Sequence, residues 1–470
     1  MNNLLLKSYL RCKRKAWLDY KGNKLYKSWS PQKSIEQITE YKNFKAYTGG
    51  DLYTGIKACE LGYKGVIGLI IKYELKENCN TILRPSMLVK TIGKSKWGNY
   101  KYVPAVSRLG QRTTREHLLD LALCAIFLEK IQKSRVEYGL VLSSYGNKLG
   151  ADKISLNTKL RKKAISSFLE LNDTLRGNIP NITKNRKKCS ICTWQKFCDK
   201  EASSFGYLTE IDGIGSKTAL NLKKIGIKNI NQLAKIDKFE LNDKLSKIQA
   251  QDIKKSSRFI HQSKSYISGI PLSISKWDEI SKQTFLNESG YFVLDIESNP
   301  DEKHDFLYGF IGINNIYNND EEYQYDSILN LNQNNKKCFD EIYSKLQFHK
   351  NWPILHYGDT EKIAITKLAK QFELNNKEIN DLSKRFIDLH CVIRNTWILP
   401  IKNYSLKTVA NWIGFDWKQK NVSGSRALYW WIQYQDTQDK IFIEKIMQYN
   451  KDDCLATLSI AKWLLEKISN

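Results

Sequence analysis

Residues 290–300, which read GYFVLDIESNP, decide the fold of the last part of the chain. An apolar run from Tyr291 to Leu294 is followed by Asp295 and Glu297, which are two residues apart. Because side chains alternate along a strand, these two carboxylates face the same side of a sheet. A buried strand that ends in D-x-E can present two oxygen ligands to a hard cation such as Mg²⁺. A strand with a solvated acidic end gives the same pattern.

Two later segments add further carboxylates. Tyr449 and Asp453 form a Y-x3-D pattern, which places them one helical turn apart on one face of a helix. Residues 352–365, WPILHYGDTEKIAI, predict a strand followed by the start of a helix, with Asp359 and Glu361 at the junction. Alternating strands and helices in this part of the chain predict a compact α/β domain.

The excess of positive charge is confined to the first three fifths of the chain. The whole sequence has 75 lysines and arginines against 49 aspartates and glutamates, a net charge of +26. Residues 290–470 contain 22 basic and 24 acidic residues, so all of the excess lies in residues 1–289. A general preference for lysine throughout the proteome would make both parts of the chain basic. The uneven distribution favours a polyanionic partner, of which nucleic acid is the leading one.

Three cysteines lie within ten residues in the segment CSICTWQKFC: Cys189, Cys192 and Cys198. In a reducing compartment this spacing favours a metal over disulfides. The local sequence offers no fourth ligand, and spacing alone cannot choose Cys12 over the remaining cysteines. From the residues alone, an iron–sulfur cluster, a zinc ion and no ligand at all remain open.

A glycine turn, Gly213-Ile214-Gly215, is predicted between two short helices in the segment LTEIDGIGSKTALNLKKIGIKNINQLAKI. Glycines let the backbone turn tightly and approach a phosphate group, whose charge is met by the N-terminus of the next helix. Ser216 is placed to cap that helix, and Lys217, Lys223 and Lys224 are expected around the turn. The segment resembles a helix-hairpin-helix motif that contacts a phosphate backbone, although a plain turn between two helices is the alternative.

The last 180 residues resemble the DEDD superfamily of 3′–5′ exonucleases, in its tyrosine subgroup with an RNase H-like fold. The resemblance rests on DIE at 295–297, on RFIDLH around Asp388, on YSLK at 404–407 and on YNKDDCLAT at 449–457. It implies that Asp295, Glu297, Glu361 and Asp453 bind two Mg²⁺ or Mn²⁺ ions and that Tyr449 orients the attacking water. Glu361 departs from the family pattern, which has Asp after H-N-x-x-x, and Asp388 is as well suited to a structural role.

The beginning of the chain, LLLKSYLRCKRKAWLDY, resembles RecB-like nucleases of the PD-(D/E)XK superfamily that carry an iron–sulfur cluster. That resemblance implies a [4Fe–4S] cluster on Cys12, Cys189, Cys192 and Cys198, with zinc as the alternative. The family needs Asp on one strand and Glu-x-Lys on the next, but GVIGLIIKY has no carboxylate and YVPAVSRLG has Val106 and Arg108 instead. We therefore expect a degenerate active site, with Glu60 and Glu74 as the remaining candidate ligands.

The order of these parts resembles bacterial RecB-like nucleases joined through a helix-hairpin-helix to an RNase H-like domain. The predicted fold is a multidomain α/β protein: a degenerate restriction-endonuclease-like domain at 1–204, an all-α helix-hairpin-helix region at 205–285 and an RNase H-like α/β domain at 286–470. The predicted function is a metal-dependent 3′–5′ exonuclease on single-stranded DNA or RNA, with a nuclease-inactive binding or scaffolding protein as the alternative. A third hypothesis is an active RecB-like nuclease core that uses Glu60 or Glu74. The longest apolar run, residues 121–128, and the weakly apolar N-terminus predict a soluble, cytoplasmic protein without a membrane partner.

Overall fold

Two units make up the chain, residues 1–201 and residues 202–470. The computed structural model describes residues 2–74, 80–109, 112–145, 148–183, 189, 191–274, 285, 290–314, 316, 323–420 and 422–469. The predicted boundary at 204/205 lies close to the division between the units. The further boundary at 285/286 remains a prediction, since residues 275–284 and 286–289 lie outside the described part of the chain.

The first unit is built on a six-stranded mixed sheet. Its strands and those of a small separate hairpin are β1 Leu52–Thr54, β2 Gly65–Ile67, β3 Ile71–Glu74, β4 Asn80–Leu83, β5 Met87–Ser95, β6 Gly98–Arg108, β7 Tyr138–Tyr145 and β8 Lys148–Ser155. The order in the sheet is β1-β2-β5-β6-β7-β8, and β3 pairs with β4. The pairs β1–β2 and β6–β7 are parallel and the other neighbours are antiparallel.

The helices of this unit cover the sheet. They are α1 Asn3–Arg11, α2 Lys13–Lys21, α3 Pro31–Thr48, α4 Gly55–Glu60, α5 Arg115–Gln132, α6 Thr158–Arg176 and α7 Gln195–Ser204, which ends just past the division. Helix α5 crosses from β6 to β7 because parallel neighbours cannot be joined by a tight turn. The predicted helices at 114–132 and 160–175 correspond to α5 and α6.

The segment GVIGLIIKY does not form the single strand that its apolar run predicts. It contains β2 and β3, which belong to different sheets, and the break falls at Gly68, where φ is +64°. Glycine adopts this left-handed conformation without the steric cost that a side chain brings. In addition, β5 lies between β2 and β6, so the two strands compared with the nuclease motif are not neighbours in the sheet.

The second unit begins with short helices that share their own hydrophobic core. These helices are α8 Ser216–Lys224, α9 Ile230–Lys235, α10 Lys238–Lys247 and α11 Ser256–Ser268. Leu222, Leu233, Leu241 and Phe259 are buried together between them. Short helices are therefore present here, but of the three junctions between them only the one between α8 and α9 contains a glycine, Gly226.

The rest of the second unit is a five-stranded sheet covered by helices. Its strands and one separate pair are β9 Leu272–Ser273, β10 Tyr291–Asn299, β11 His304–Ile313, β12 Tyr325–Leu329, β13 Ile354–His356, β14 Phe386–Asp388 and β15 Trp397–Ile398. The sheet order is β12-β11-β10-β13-β14, and β9 pairs with β15. The helices are α12 Asn335–Phe348, α13 Thr360–Gln371, α14 Asn376–Lys384, α15 Leu389–Thr396, α16 Leu406–Trp412, α17 Gly424–Thr437 and α18 Lys440–Ser469.

Strand β10 is central, and its two faces enter different hydrophobic cores. Tyr291 and Val293 pack with residues of α18 such as Leu464, whereas Phe292 and Leu294 pack on the face covered by α12 and α13. The alternation of β10 therefore directs the odd-numbered side chains towards α18. In the described part of the chain, no helix combines the length and apolarity that crossing a bilayer requires.

Candidate metal-dependent active site

Strand β10 and helix α18 bring three predicted ligands together. Asp295 and Glu297 continue the face of β10 that packs against α18, and Asp453 lies on α18 itself. One carboxylate oxygen from each residue lies within 4.8 Å of the other two. Among the described residues, this is the one group in which at least three His, Cys, Asp or Glu ligand atoms come this close. The three oxygens form a suitable set for a divalent cation.

Asn450 fixes the orientation of Asp295. Its Nδ2 donates to Asp295 Oδ2 at 2.7 Å and to the Asp295 carbonyl oxygen at 3.2 Å. Its Oδ1 accepts a hydrogen bond from the Tyr325 hydroxyl at 2.8 Å. Asn450 shares a helical face with Asp453, three residues later, but sequence reasoning missed it.

Gly309 makes room for this asparagine. It is the β11 partner of Asp295 in the β10–β11 register. A Cβ atom on Gly309 would lie 1.6 Å from Asn450 Oδ1, so no larger residue fits without displacing the amide. Because this contact joins residues far apart in sequence, no local pattern identifies Gly309 as part of the site.

Asp453 has its own supporting contacts. Trp417 Nε1 donates to Asp453 Oδ1 at 2.7 Å, and the Tyr449 hydroxyl hydrogen-bonds to the same carboxylate. Lys407, from the YSLK segment, places its Nζ 4.8 Å from the centre of the Tyr449 ring and close to Glu297 and Asp453. Trp417 precedes Asp453 by 36 residues and carried no signal in the sequence.

The carboxylates are crowded and buried, and this shifts their titration. Burial raises the pKa of Asp295 well above its usual range, and the charges of Asp453 and Glu297 raise it further. Burial and the charge of Asp453 raise the pKa of Glu297, and burial raises that of Asp453 despite the Trp417 hydrogen bond. Lys407 brings one positive charge, and burial lowers its pKa. One ammonium cannot balance three carboxylates, so the site favours an additional cation.

Glu361 lies near this group but outside it. Its carboxylate is buried beside His356, with Oε2 at 3.4 Å from Nδ1, rather than within 4.8 Å of the other three. The role of Glu361 as the fourth metal ligand remains a prediction. Asp388 accepts hydrogen bonds from the backbone N–H groups of Gly358 and His390, which gives it the structural role of capping α15.

The four cysteines predicted to hold a cluster, Cys12, Cys189, Cys192 and Cys198, line one cavity of about 320 Å³. Cys12 lies between α1 and α2, and Cys198 lies on α7. No three of the four sulfur atoms, all of them in the described part of the chain, lie within 4.8 Å of one another. A tetrahedral zinc ion with Zn–S bonds of about 2.3 Å would place them roughly 3.8 Å apart. The sulfur atoms are therefore not arranged as in a tetrahedral zinc site. Arg11, Arg14 and Lys15 also line the cavity, and they form ion pairs with Glu116, Glu201 and Asp19.

The strands of the first unit contain no comparable group of acidic ligands among the described residues. Val106 is buried, and Arg108 pairs with Asp152 at 3.1 Å. Asp120 is buried and forms an ion pair with Lys7 at 3.0 Å, so its carboxylate is already neutralised. Glu60 is exposed, and the side chain of Glu74 lies outside the described part of the chain.

The glycine turn precedes α8, but it follows a single 3₁₀ turn, Leu208–Glu210, rather than a helix. Gly213 has φ of +80°, and Gly215 occupies the N-cap position, so Ser216 is the first helical residue and not the cap. Lys217 lies in the first turn of α8. Lys223 and Lys224 lie at its other end, about 10 Å away at 1.5 Å per residue, beside the second glycine turn at Gly226.

A family comparison agrees with the fold of the C-terminal region. Residues 292–465 match the model of the RNase_H_2 family, which belongs to the RNase H superfamily. This match supports the expected RNase H-like C-terminal domain and is consistent with a nuclease that acts on nucleic acid. No curated protein matches the chain.

Proposed function

We propose that the protein is a metal-dependent 3′–5′ exonuclease on single-stranded nucleic acid, in which the RNase H-like domain cleaves and the basic N-terminal part holds the strand. The observation that carries the proposal is the group formed by Asp295, Glu297 and Asp453 within an RNase H-like sheet. The concentration of positive charge in residues 1–289 supports the assignment of strand binding to the other part of the chain.

The three carboxylates would hold Mg²⁺ or Mn²⁺, with Glu361 as the candidate fourth ligand. Their burial, their raised pKa values and the partial compensation by Lys407 fit a divalent cation better than they fit an empty core. When bound, such ions activate a water and stabilise the leaving oxygen at phosphorus.

The surrounding residues keep these groups in place. Asn450 orients Asp295, and Trp417 orients Asp453 through an indole N–H that cannot serve as an acceptor. Tyr449 is held by Asp453, and its hydroxyl would orient the attacking water. Lys407 adds a fixed positive charge beside the carboxylates, where charge develops on the phosphate during cleavage.

For the first unit we propose a RecB-like fold without nuclease activity that carries a [4Fe–4S] cluster on Cys12, Cys189, Cys192 and Cys198. The cavity that all four cysteines line supports a shared metal centre, and a sulfur spacing wider than that of a zinc site favours a cluster over a mononuclear zinc ion. The described residues of this unit contain no group of three acidic ligands, which supports the loss of metal-dependent chemistry there.

In the second unit, we propose that Gly213, Gly215 and Lys217 contact a phosphate at the N-terminus of α8. A Cβ on Gly215 would meet no described atom within 4 Å, which agrees with an accessible turn. Lys223 and Lys224 would then contact a different phosphate, because they lie at the opposite end of the helix.

Degradation of 5′-labelled single-stranded DNA and RNA in Mn²⁺ or Mg²⁺ tests the proposal. We expect a ladder that shortens from the 3′ end with the wild type and no ladder with Asp295→Asn. Asp340→Asn, which changes an exposed carboxylate on α12, is the matched control and should cleave like the wild type.

Absence of cleavage, with tight salt-sensitive binding retained, would favour the binding or scaffolding alternative. Cleavage that persists in Asp295→Asn would favour a live RecB-like core.

A further inference from the structure

The segment from the end of α2 to the first turn of α3 contains exposed aromatic side chains interspersed with lysines. Residues 20–33 read YKGNKLYKSWSPQK. Tyr20, Tyr26 and Trp29 are 53%, 59% and 51% exposed, which is unusual for three large aromatic residues in one short segment. Aromatic rings that face solvent beside cations are typical of surfaces on which unpaired bases stack.

A cavity of about 340 Å³ lies alongside this segment and is rich in positive charge. Lys15, Lys27 and Lys33 line it, and the first two share a single carboxylate, that of Asp19, which lies 2.8 Å from Lys27 Nζ. Burial and the charges of Lys27 and Lys15 lower the pKa of Lys33. Glu36 also lines the cavity, and its charge opposes this lowering. These three lysines therefore face two carboxylates, those of Asp19 and Glu36, and an anion would relieve the repulsion that remains.

Two further features of the cavity suit a phosphate group. Thr193 lines it and is only 8% exposed, and its Oγ1 is buried without a hydrogen-bond partner among the described residues. The Thr193 carbonyl accepts a hydrogen bond from Ser28 N at 2.8 Å, which holds this residue against the segment. The N-terminus of α3, an 18-residue helix, reaches the cavity at Ser30 and adds the positive end of a helix dipole.

We propose that this face of the first unit binds single-stranded nucleic acid, with a backbone phosphate in the cavity and adjacent bases stacked on Trp29 and Tyr26. A duplex does not fit the same description, because its bases are already stacked and paired. The inference deepens the proposed role of the N-terminal part in holding the strand, but it does not depend on cleavage.

Fluorescence anisotropy with a labelled oligothymidylate in EDTA tests the inference. Loss of one stacked base in Trp29→Ala should weaken binding by roughly 5- to 100-fold. Lys33→Ala should reduce the slope of log affinity against log salt by about 0.7, the value for one phosphate on a single strand. Lys57→Ala, at an exposed lysine on α4 of the same unit, is the matched control and should bind like the wild type.

The pattern across probes decides the outcome. Trp29→Phe should bind within about twofold of the wild type, because a phenyl ring still offers a face for stacking. Trp29→Ala should bind a duplex of the same length as well as the wild type does. Melting temperatures like that of the wild type would show that the variants are folded, and Tyr26→Ala provides a second aromatic test.

Wild-type affinity in Trp29→Ala and Tyr26→Ala, or an equal loss for single strand and duplex, would overturn the inference. Two results together would instead identify a site for free phosphate. Inorganic phosphate would displace the oligonucleotide at an ionic strength where chloride does not, and Trp29→Ala would bind the oligonucleotide with wild-type affinity. Since EDTA removes the metal from the assay, an inactive exonuclease would leave a positive binding result standing.

Discussion

Replacing Gly309 by alanine should disable the site without touching any of its carboxylates. The added Cβ would lie 1.6 Å from Asn450 Oδ1 and 2.8 Å from its Cγ, both far inside contact distance. The amide must therefore move by roughly 1.5 Å or more, because β11, which carries Gly309, is a largely buried strand held between β10 and β12.

The expected cost follows from the bonds that this movement breaks. Asn450 makes two hydrogen bonds to Asp295 and accepts one from Tyr325. At about 1 kcal/mol net for each bond, and more for the one to a carboxylate, Gly309→Ala should lose about 2–4 kcal/mol of stability. That corresponds to a melting temperature lower by about 5–12 °C. Asp295 would then lose the hydrogen bonds from Asn450 that orient it, and this should lower kcat by about 100-fold.

Thermal unfolding and single-turnover cleavage of a single strand measure the two effects. Gly312→Ala is the matched control on the same strand, because its Cβ would lie 3.6 Å from the nearest atom, an ordinary contact. Asn450→Ala removes the group that clashes. The double variant Gly309→Ala with Asn450→Ala should therefore have a melting temperature close to that of Asn450→Ala alone, and it should remain inactive. Wild-type stability and cleavage in Gly309→Ala would contradict the expected clash with Asn450. Equal losses of stability and cleavage in Gly312→Ala would contradict it as well.

Three further predictions concern the charges and the cysteines. Asp295→Asn should raise the melting temperature of the metal-free protein by about 2–4 °C for each kcal/mol of relieved repulsion and abolish stabilisation by Mn²⁺. Because the native pKa values of Asp295, Glu297 and Asp453 are all raised, the wild type should lose more stability than the variant as the pH rises above the ordinary carboxyl range, and scanning calorimetry against pH in EDTA checks this sign. Lys407→Met should lower kcat by about 100-fold, because it removes a cation that stabilises the charge developing on the phosphate. It should not weaken Mn²⁺ binding, because the same cation competes with the metal for the carboxylates. Kinetics measure the first effect and calorimetric titration with Mn²⁺ measures the second. Cys12→Ser should lose iron and brown colour in an anaerobic preparation, whereas a wild type that contains zinc and no iron would contradict the cluster.

Much of the C-terminal site was predictable because its acidic residues and Tyr449 lie in short sequence motifs. The spacing of Asp295 and Glu297 on a buried strand and of Tyr449 and Asp453 on a helix determines which face each side chain occupies. That the strand and the helix form one site followed from the resemblance to the DEDD exonucleases, since alternation and helical periodicity predict only the face of each side chain.

The residues that support the site were not predictable in the same way. Trp417, Asn450 and Gly309 act through contacts between elements that are distant in sequence, and each residue type is equally common in a structural role. The prediction of a single strand at 65–73 was wrong for a local reason. The continuous apolar run indicates a strand, and nothing in it shows that Gly68 adopts the left-handed conformation that ends β2. Lys223 and Lys224 were expected beside the first glycine turn, since the sequence did not show how long α8 would be.

The most direct test of the account compares single-strand cleavage in Mn²⁺ by the wild type, Asp295→Asn, Glu297→Gln and Asp453→Asn, together with binding of the same strand in EDTA. If the three carboxylates form the catalytic centre, each substitution should lower kcat by at least about 1000-fold and leave binding unchanged. Wild-type cleavage by any one of the three variants would contradict the central claim.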